Sequence, residues 1–281
     1  MDPLAPLVDL DGVADALARA RSACEELRWH EAYRRRWREV RAEAGIRSAR
    51  ASAALDGGRV PVEALRSVAT GGPVPSGAPF ALAGGALRAA ALVESLMPDL
   101  GAPRAPALPP LAQLLARVHA AAATGLVADR DLGRLRVDDD PADLTGLGVA
   151  PRGDELAARL SLLGSVLSAS SAPALVVGAV VHGELLTVRP FVAGNGVVAR
   201  AVARLVLTSR GLDPTGSVVC EAAWAAAPNA YLGAAAGFAT GSAAGVGAWV
   251  SACADGVVTG AGAAHDVADA VLSGSLSSRS G

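Results

Sequence analysis

The sequence predicts an all-α protein, and three features of this 281-residue chain carry that prediction. Apolar residues recur at helical spacing over most of its length. Pro- and Gly-rich stretches cut that pattern into separate segments. Alanine is abundant and aromatics make up only 3%, which predicts close helix–helix contacts built from small side chains.

Residues 10–55 form an Arg/Glu-rich helical region. Within it Trp29, Tyr33 and Trp37 recur every four residues, so Arg34-Arg35-Arg36-Trp37-Arg38 reads as the solvated face of an amphipathic helix. A patch for an acidic partner is the alternative. After Gly57-Gly58 a short helix is expected over 61–70, then the loop 71–77. Helices follow at 80–97 and 109–124, separated by the Pro-rich run 101–106. Residues 137–150, Val-Asp-Asp-Asp-Pro-Ala-Asp-Leu-Thr-Gly-Leu-Gly-Val-Ala, are turn-rich. Beyond them helices are expected at 152–168, 173–188 and 197–210, then two or three more. The tail, 273–281, is expected to be disordered. No internal repeat is visible.

Composition narrows the function classes. All 25 basic residues are Arg and the net charge is −2, so no basic field invites nucleic acid. Cys24, Cys220 and Cys253 lie far apart without metal-ligand spacing, and free thiols in a reducing cytoplasm are expected. The N-terminus shows no basic region followed by an apolar core. Residues 222–254 carry no charge, yet they are mostly Ala and Gly with Pro228 and Asn229, so buried helices rather than a membrane span are expected.

The most informative stretch is 189–200, Arg-Pro-Phe-Val-Ala-Gly-Asn-Gly-Val-Val-Ala-Arg. From Val197 a strong helix begins, with Arg200 and Arg204 one turn apart. Gly194-Asn195-Gly196 stands at its start, where free N–H groups and the positive end of the helix dipole attract anions. Glycine permits close approach of a phosphate, and Asn tolerates left-handed backbone. One of the chain's two asparagines lies between these glycines. Taken alone, the tripeptide also reads as a turn that starts a core helix.

This stretch resembles the signature of the Fic (Fido) family, His-Pro-Phe-x-Asp/Glu-Gly-Asn-Gly-Arg-x-x-Arg, whose members transfer AMP from ATP to protein hydroxyls. Pro190, Phe191, Gly194, Asn195, Gly196 and Arg200 match. Arg189 stands at the catalytic histidine, Ala193 at the metal-binding carboxylate and Val197 at the first arginine. His182 matches a buried histidine that the family places seven positions earlier. Gly133-Arg134-Leu135-Arg136 is similar to the entry of the family's β-hairpin flap. Ser52-Ala53-Ala54-Leu55-Asp56-Gly57 resembles its inhibitory motif, with Asp for Glu. The resemblance spans about residues 45–210. It implies an all-α Fic-type domain over 76–272 with one small hairpin at 132–150, preceded by an N-terminal helical region, 1–75, bearing Ser52 and Asp56.

The substitutions remove chemistry. Arg189 cannot serve as a base, Ala193 offers no Mg²⁺ ligand, and Val197 withdraws a phosphate-neutralising charge. The expected function is that of a catalytically degenerate pseudoenzyme that binds a nucleotide or polyphosphate, or a protein partner. An atypical protein adenylyltransferase is the alternative. The resemblance assigns Gly194, Asn195, Gly196, Arg200 and Arg189 to an ATP-type ligand, without Mg²⁺. Asp56 is expected on Arg200 as an inhibitory clamp, with a plain turn or cap role as the alternative. His182 is expected to be a satisfied core histidine. The flap, 132–150, with Asp138-Asp139-Asp140, is the expected protein-docking surface. Neither nucleic acid nor membrane is expected as a partner.

Overall fold

The computed structural model describes residues 2–103 and 105–276. Among them eleven α-helices carry the fold: α1 (Val13–Arg28), α2 (Trp37–Leu55), α3 (Val62–Ala69), α4 (Ala78–Glu94), α5 (Leu111–Ala123), α6 (Gly153–Ala169), α7 (Ala174–Val188), α8 (Asn195–Ser209), α9 (Cys220–Ala226), α10 (Pro228–Ala239) and α11 (Ala243–Leu272). The all-α prediction holds. Every residue of α8 from Asn195 to Thr208 is buried, so this helix is the axis of the domain. Helix α7 returns along it, and α2, α4 and α5 cover its other sides. The long α11 packs on α1, α9 and α10, and one apolar core runs from Leu4 to Val271.

Small side chains set the spacing. At Gly85 of α4 a Cβ would overlap the Ala122 carbonyl of α5, so alanine there forces the two backbones apart. The few aromatics gather where α7, α9, α10 and α11 meet. There Trp224, Tyr231 and Trp249 surround His182, and the Trp249 indole donates to the Ala179 carbonyl at 2.7 Å. The uncharged segment 222–254 supplies most of α9, all of α10 and the first part of α11. No helix of the described residues is long and apolar enough to cross a membrane.

Three expectations need correction. The region 10–55 is two helices, because the chain turns at 29–36. The His30 ring accepts a hydrogen bond from the Ala32 N–H and seeds a separate 3-10 turn, Glu31–Arg34. Trp29 is therefore 75% exposed while Tyr33 is buried on Ser217, and no single aromatic stripe forms. The flap is not a hairpin: no strand occupies 132–150. Its backbone donates instead to the α7–α8 loop, from Arg136 to Pro190 and from Ala142 to Val192, at 2.9 and 2.8 Å. The tail opens as a turn at 273–276 that closes α11, and residues 277–281 lie outside the described residues.

Candidate functional site

The loop 189–194 leaves α7 at Arg189 and enters α8 through Gly194. Both turn in the left-handed region, Arg189 at φ 43° and Gly194 at φ 82°. Glycine adopts that conformation freely, whereas arginine does so at a cost that its surroundings must offset. The Arg189 guanidinium donates to the Leu144 and Gly148 carbonyls at 3.0 and 2.6 Å. It therefore binds the flap and does not reach toward the Gly194–Gly196 loop as an anion donor. Leu144, one of its acceptors, is the other non-glycine residue with positive φ among the described residues.

Arg136 completes this strap. It is buried and donates to the Val188, Arg189 and Pro151 carbonyls at 2.9, 2.7 and 2.6 Å, closing the C-terminus of α7. Burial lowers the pKa of both guanidinium groups; the charge of Arg152 lowers that of Arg136 further, and the charge of Arg136 lowers that of Arg189. Asp140 of the acidic run pairs with Arg152 at 2.5 Å.

Asn195 organises the loop from within. Its side chain accepts from the Phe191 N–H and donates to the Phe191 carbonyl, each at 2.9 Å. Two further donors, the Asn195 backbone N–H and its Nδ2, point at the two oxygens of Asp143, at 2.8 and 2.7 Å. A carboxylate from the flap thus occupies the start of α8, the place where backbone donors and the helix dipole favour an anion.

A second carboxylate sits one step deeper. Asp56, closing the C-terminus of α2, accepts from Arg200 Nη2 at 2.7 Å, and the Val197 N–H also stabilises it. Arg200 is 1% exposed and donates from Nε to Ser52 Oγ at 2.8 Å and from Nη2 to the Ser52 carbonyl at 3.0 Å. Asp56 therefore meets Arg200, as the resemblance to the inhibitory motif implies, and Ser52 joins it there. Burial alone would lower the Arg200 pKa, but Asp56 and the Tyr231 hydroxyl carry it above its ordinary value, so it stays charged. Burial raises the Asp56 carboxyl pKa against the pull of Arg200. The carboxylate lies so close to Gly196 that a Cβ there would stand 2.6 Å from Oδ1, which is why this helix start needs glycine. Arg204 turns away and donates to the Gly216 carbonyl at 2.7 Å.

His182 lies two turns back in α7, bonded to the Tyr231 hydroxyl at 2.8 Å. Burial, then the nearby Arg200, holds its pKa well below the usual range, so it is a neutral core histidine. The sequence reading missed His119. This α5 residue is buried, stacks on Phe191 at 3.8 Å, accepts from the Gly133 N–H through Nδ1, and donates from Nε2 to the Ala193 carbonyl at 3.0 Å. It staples the loop to the flap entry. Its one sequence signal was a lone polar residue on an otherwise apolar helix face. Asp143 had no such signal, because its contact crosses about fifty residues of chain.

The residues present do not fit ATP or Mg²⁺ in this arrangement. The donors at the start of α8 already hold two carboxylates, so phosphate oxygens there would meet like charge. Ala193 offers only its carbonyl, and His119 takes that.

No protein-family model and no curated protein sequence matches the chain. Solved structures do. A Fic family protein from Desulfovibrio desulfuricans is similar with a TM-score of 0.66 and 20% identity, over 92% of this chain and 75% of that one. A Fic domain containing signaling protein from Bacteroides thetaiotaomicron gives 0.66 and 13%, over 90% and 98%. Fic-1 (residues 134–508) from C. elegans gives 0.66 and 17%, over 93% and 73%. At these identities the likeness is one of architecture, and the chain has the all-α fold of Fic domain proteins.

Proposed function

We propose that this is a non-catalytic Fic-fold protein whose anion site is held shut by its own carboxylates and admits a nucleotide or polyphosphate only when they are displaced. The observation that carries this reading is the buried Arg200, gripped by Ser52 and Asp56 beside an α8 N-terminus capped by Asp143. Arginine at position 189 supplies no base, and its guanidinium is engaged by the flap. Labelled ATP incubated with the full chain, with Mg²⁺ present, is expected to leave no AMP on the chain or on added protein. Incorporation that disappears with Arg200→Ala would overturn the reading in favour of an atypical adenylyltransferase.

A second reading, protein docking at the flap, rests on a separate observation. Val137 is 67% exposed and Val149 is 93% exposed, and Leu135 beside them is exposed as well. Apolar side chains standing this far out on a segment tied down by Arg136 and Arg189 favour contact with another apolar surface. The double variant Val137→Ser/Val149→Ser is expected to keep the melting temperature and to lose partners that the wild-type chain captures. Equal capture by both forms removes the flap from consideration.

A further inference from the structure

His265 and Asp269 stand four residues apart on one face of α11, and His30 reaches them from the turn after α1. His30 Nε2 lies 3.1 Å from Asp269 Oδ1, and His265 Nδ1 lies 3.4 Å from Oδ2. One ligand atom from each residue fits within a 4.8 Å span. We propose that these three side chains form a zinc-class divalent metal site joining α11 to the turn that leads into α2.

The spacing suits a small tetrahedral ion. Zinc bonds of about 2.0–2.1 Å to nitrogen and oxygen place neighbouring ligand atoms about 3.3–3.4 Å apart. The two rings face different oxygens of Asp269, at 3.1 and 3.4 Å, and one ligand atom from each residue falls within 4.8 Å. A pivot of the carboxylate and a closing of the two rings bring three ligand atoms to the zinc spacing. The two imidazoles meet edge-on, with centroids 4.5 Å apart and planes at 80°, so they do not stack across the position an ion would take. Two imidazole nitrogens and one carboxylate oxygen favour Zn²⁺ and its late first-row neighbours over Mg²⁺ or Ca²⁺, which prefer all-oxygen shells. Three protein ligands leave a fourth position for water. The site is reachable, because the His265 and Asp269 side chains are 54% and 63% exposed, while His30, 9% exposed, is held by its surroundings.

Proton placement gives the site its own signature. His30 Nδ1 accepts from the Ala32 N–H at 3.2 Å, so in this state the ring proton is on Nε2, facing Asp269. A metal on Nε2 requires that proton on Nδ1, where it would oppose the Ala32 N–H. Binding therefore moves one proton across the ring, releases none from it, and breaks the Ala32 bond. The 3-10 turn Glu31–Arg34 then reports on the metal. Helix α2 starts just past that turn and ends at Asp56, so the ion would anchor the near end of the helix that carries the Arg200 clamp.

The test is calorimetric titration of the full chain, purified without a polyhistidine tag, with Zn²⁺. Saturable binding of one equivalent is expected, with a higher melting temperature and a shifted Ala32 amide resonance. His265→Ala and Asp269→Asn, both at exposed positions, are expected to keep the metal-free melting temperature and to weaken Zn²⁺ binding at least about tenfold. No saturable binding, or Zn²⁺ binding that both variants leave unchanged, overturns the proposal.

Discussion

Arg200→Ala is expected to cost about 3–5 kcal/mol of folding stability, the loss typical of removing one partner from a buried ion pair. Arg200 is almost fully buried and holds Ser52 and Asp56 from α2 against α8. Without it, Asp56 keeps only the Val197 N–H, in a place water reaches poorly. The loss should appear as a lower midpoint in urea, at an unchanged slope. Its pH dependence has a definite sign. Burial already raises the Asp56 carboxyl pKa with Arg200 present, and removing the guanidinium raises it further. A carboxyl whose folded pKa exceeds its unfolded one holds more protons when folded, so stability falls as pH rises through that range. The deficit should therefore be largest near neutral pH and shrink as pH falls toward the ordinary carboxylate range. Adding Asp56→Ala should recover part of the loss, because the stranded charge goes with it. A deficit that is independent of pH and of Asp56 would show that Arg200 acts by packing alone.

Much of this architecture was legible because helical spacing and Pro/Gly breaks are local signals. The helix that begins at Val62 and those around the α7–α8 loop fall where periodicity placed them. The Asp56–Arg200 contact was legible through the resemblance of two short motifs to the Fic inhibitory and signature motifs, whereas the Ser52 contact with Arg200 was not. What stayed hidden depends on long-range partners. The flap looked like a hairpin because its turn residues suit one, but Arg189 takes the flap carbonyls of Leu144 and Gly148, and Arg136 of the flap donates to the Arg189 carbonyl, which ties the segment to the α7–α8 loop. Arg189 looked like a phosphate donor because arginine is one, yet its guanidinium donates to the Leu144 and Gly148 carbonyls of the flap. Asp143 and His119 were hidden for the same reason, since neither lies near its partner in sequence.

The three departures from the Fic signature now have structural occupations. Arg189 ties down the flap, the Ala193 carbonyl receives His119, and Val197 is buried beside α2 and α4. Arg189→His would free the flap carbonyls, and Val197→Arg would force a long charged side chain into the core. Reinstating the three signature residues is therefore a structural perturbation as well as a chemical one, and the site is better opened from its other side.

Removing the two carboxylates should do that. Asp56→Gly takes the clamp from Arg200, and Asp143→Ala uncovers the Asn195 N–H and Nδ2. The donors then exposed are a guanidinium, an amide and the first N–H groups of a long helix, a set that suits a phosphate. The wild-type chain is expected to bind pyrophosphate or ATP weakly at most, because the ligand must displace an internal carboxylate already in contact. Each single variant should tighten binding by about tenfold and the double variant by about a hundredfold, which corresponds to about 1.4 kcal/mol per displaced carboxylate. Gly196→Ala in the double variant tests the location. With Asp56 gone its Cβ no longer meets that carboxylate, but it stands 3.0 Å from Arg200 Nη1, where an incoming phosphate must pass. It should abolish the gain while leaving the melting temperature of the double variant in place. Calorimetry with pyrophosphate across wild type, both single variants, the double variant and its Gly196→Ala derivative decides the matter. A silent double variant that still melts cooperatively would mean that α8 offers no anion site, and the flap reading would then stand first.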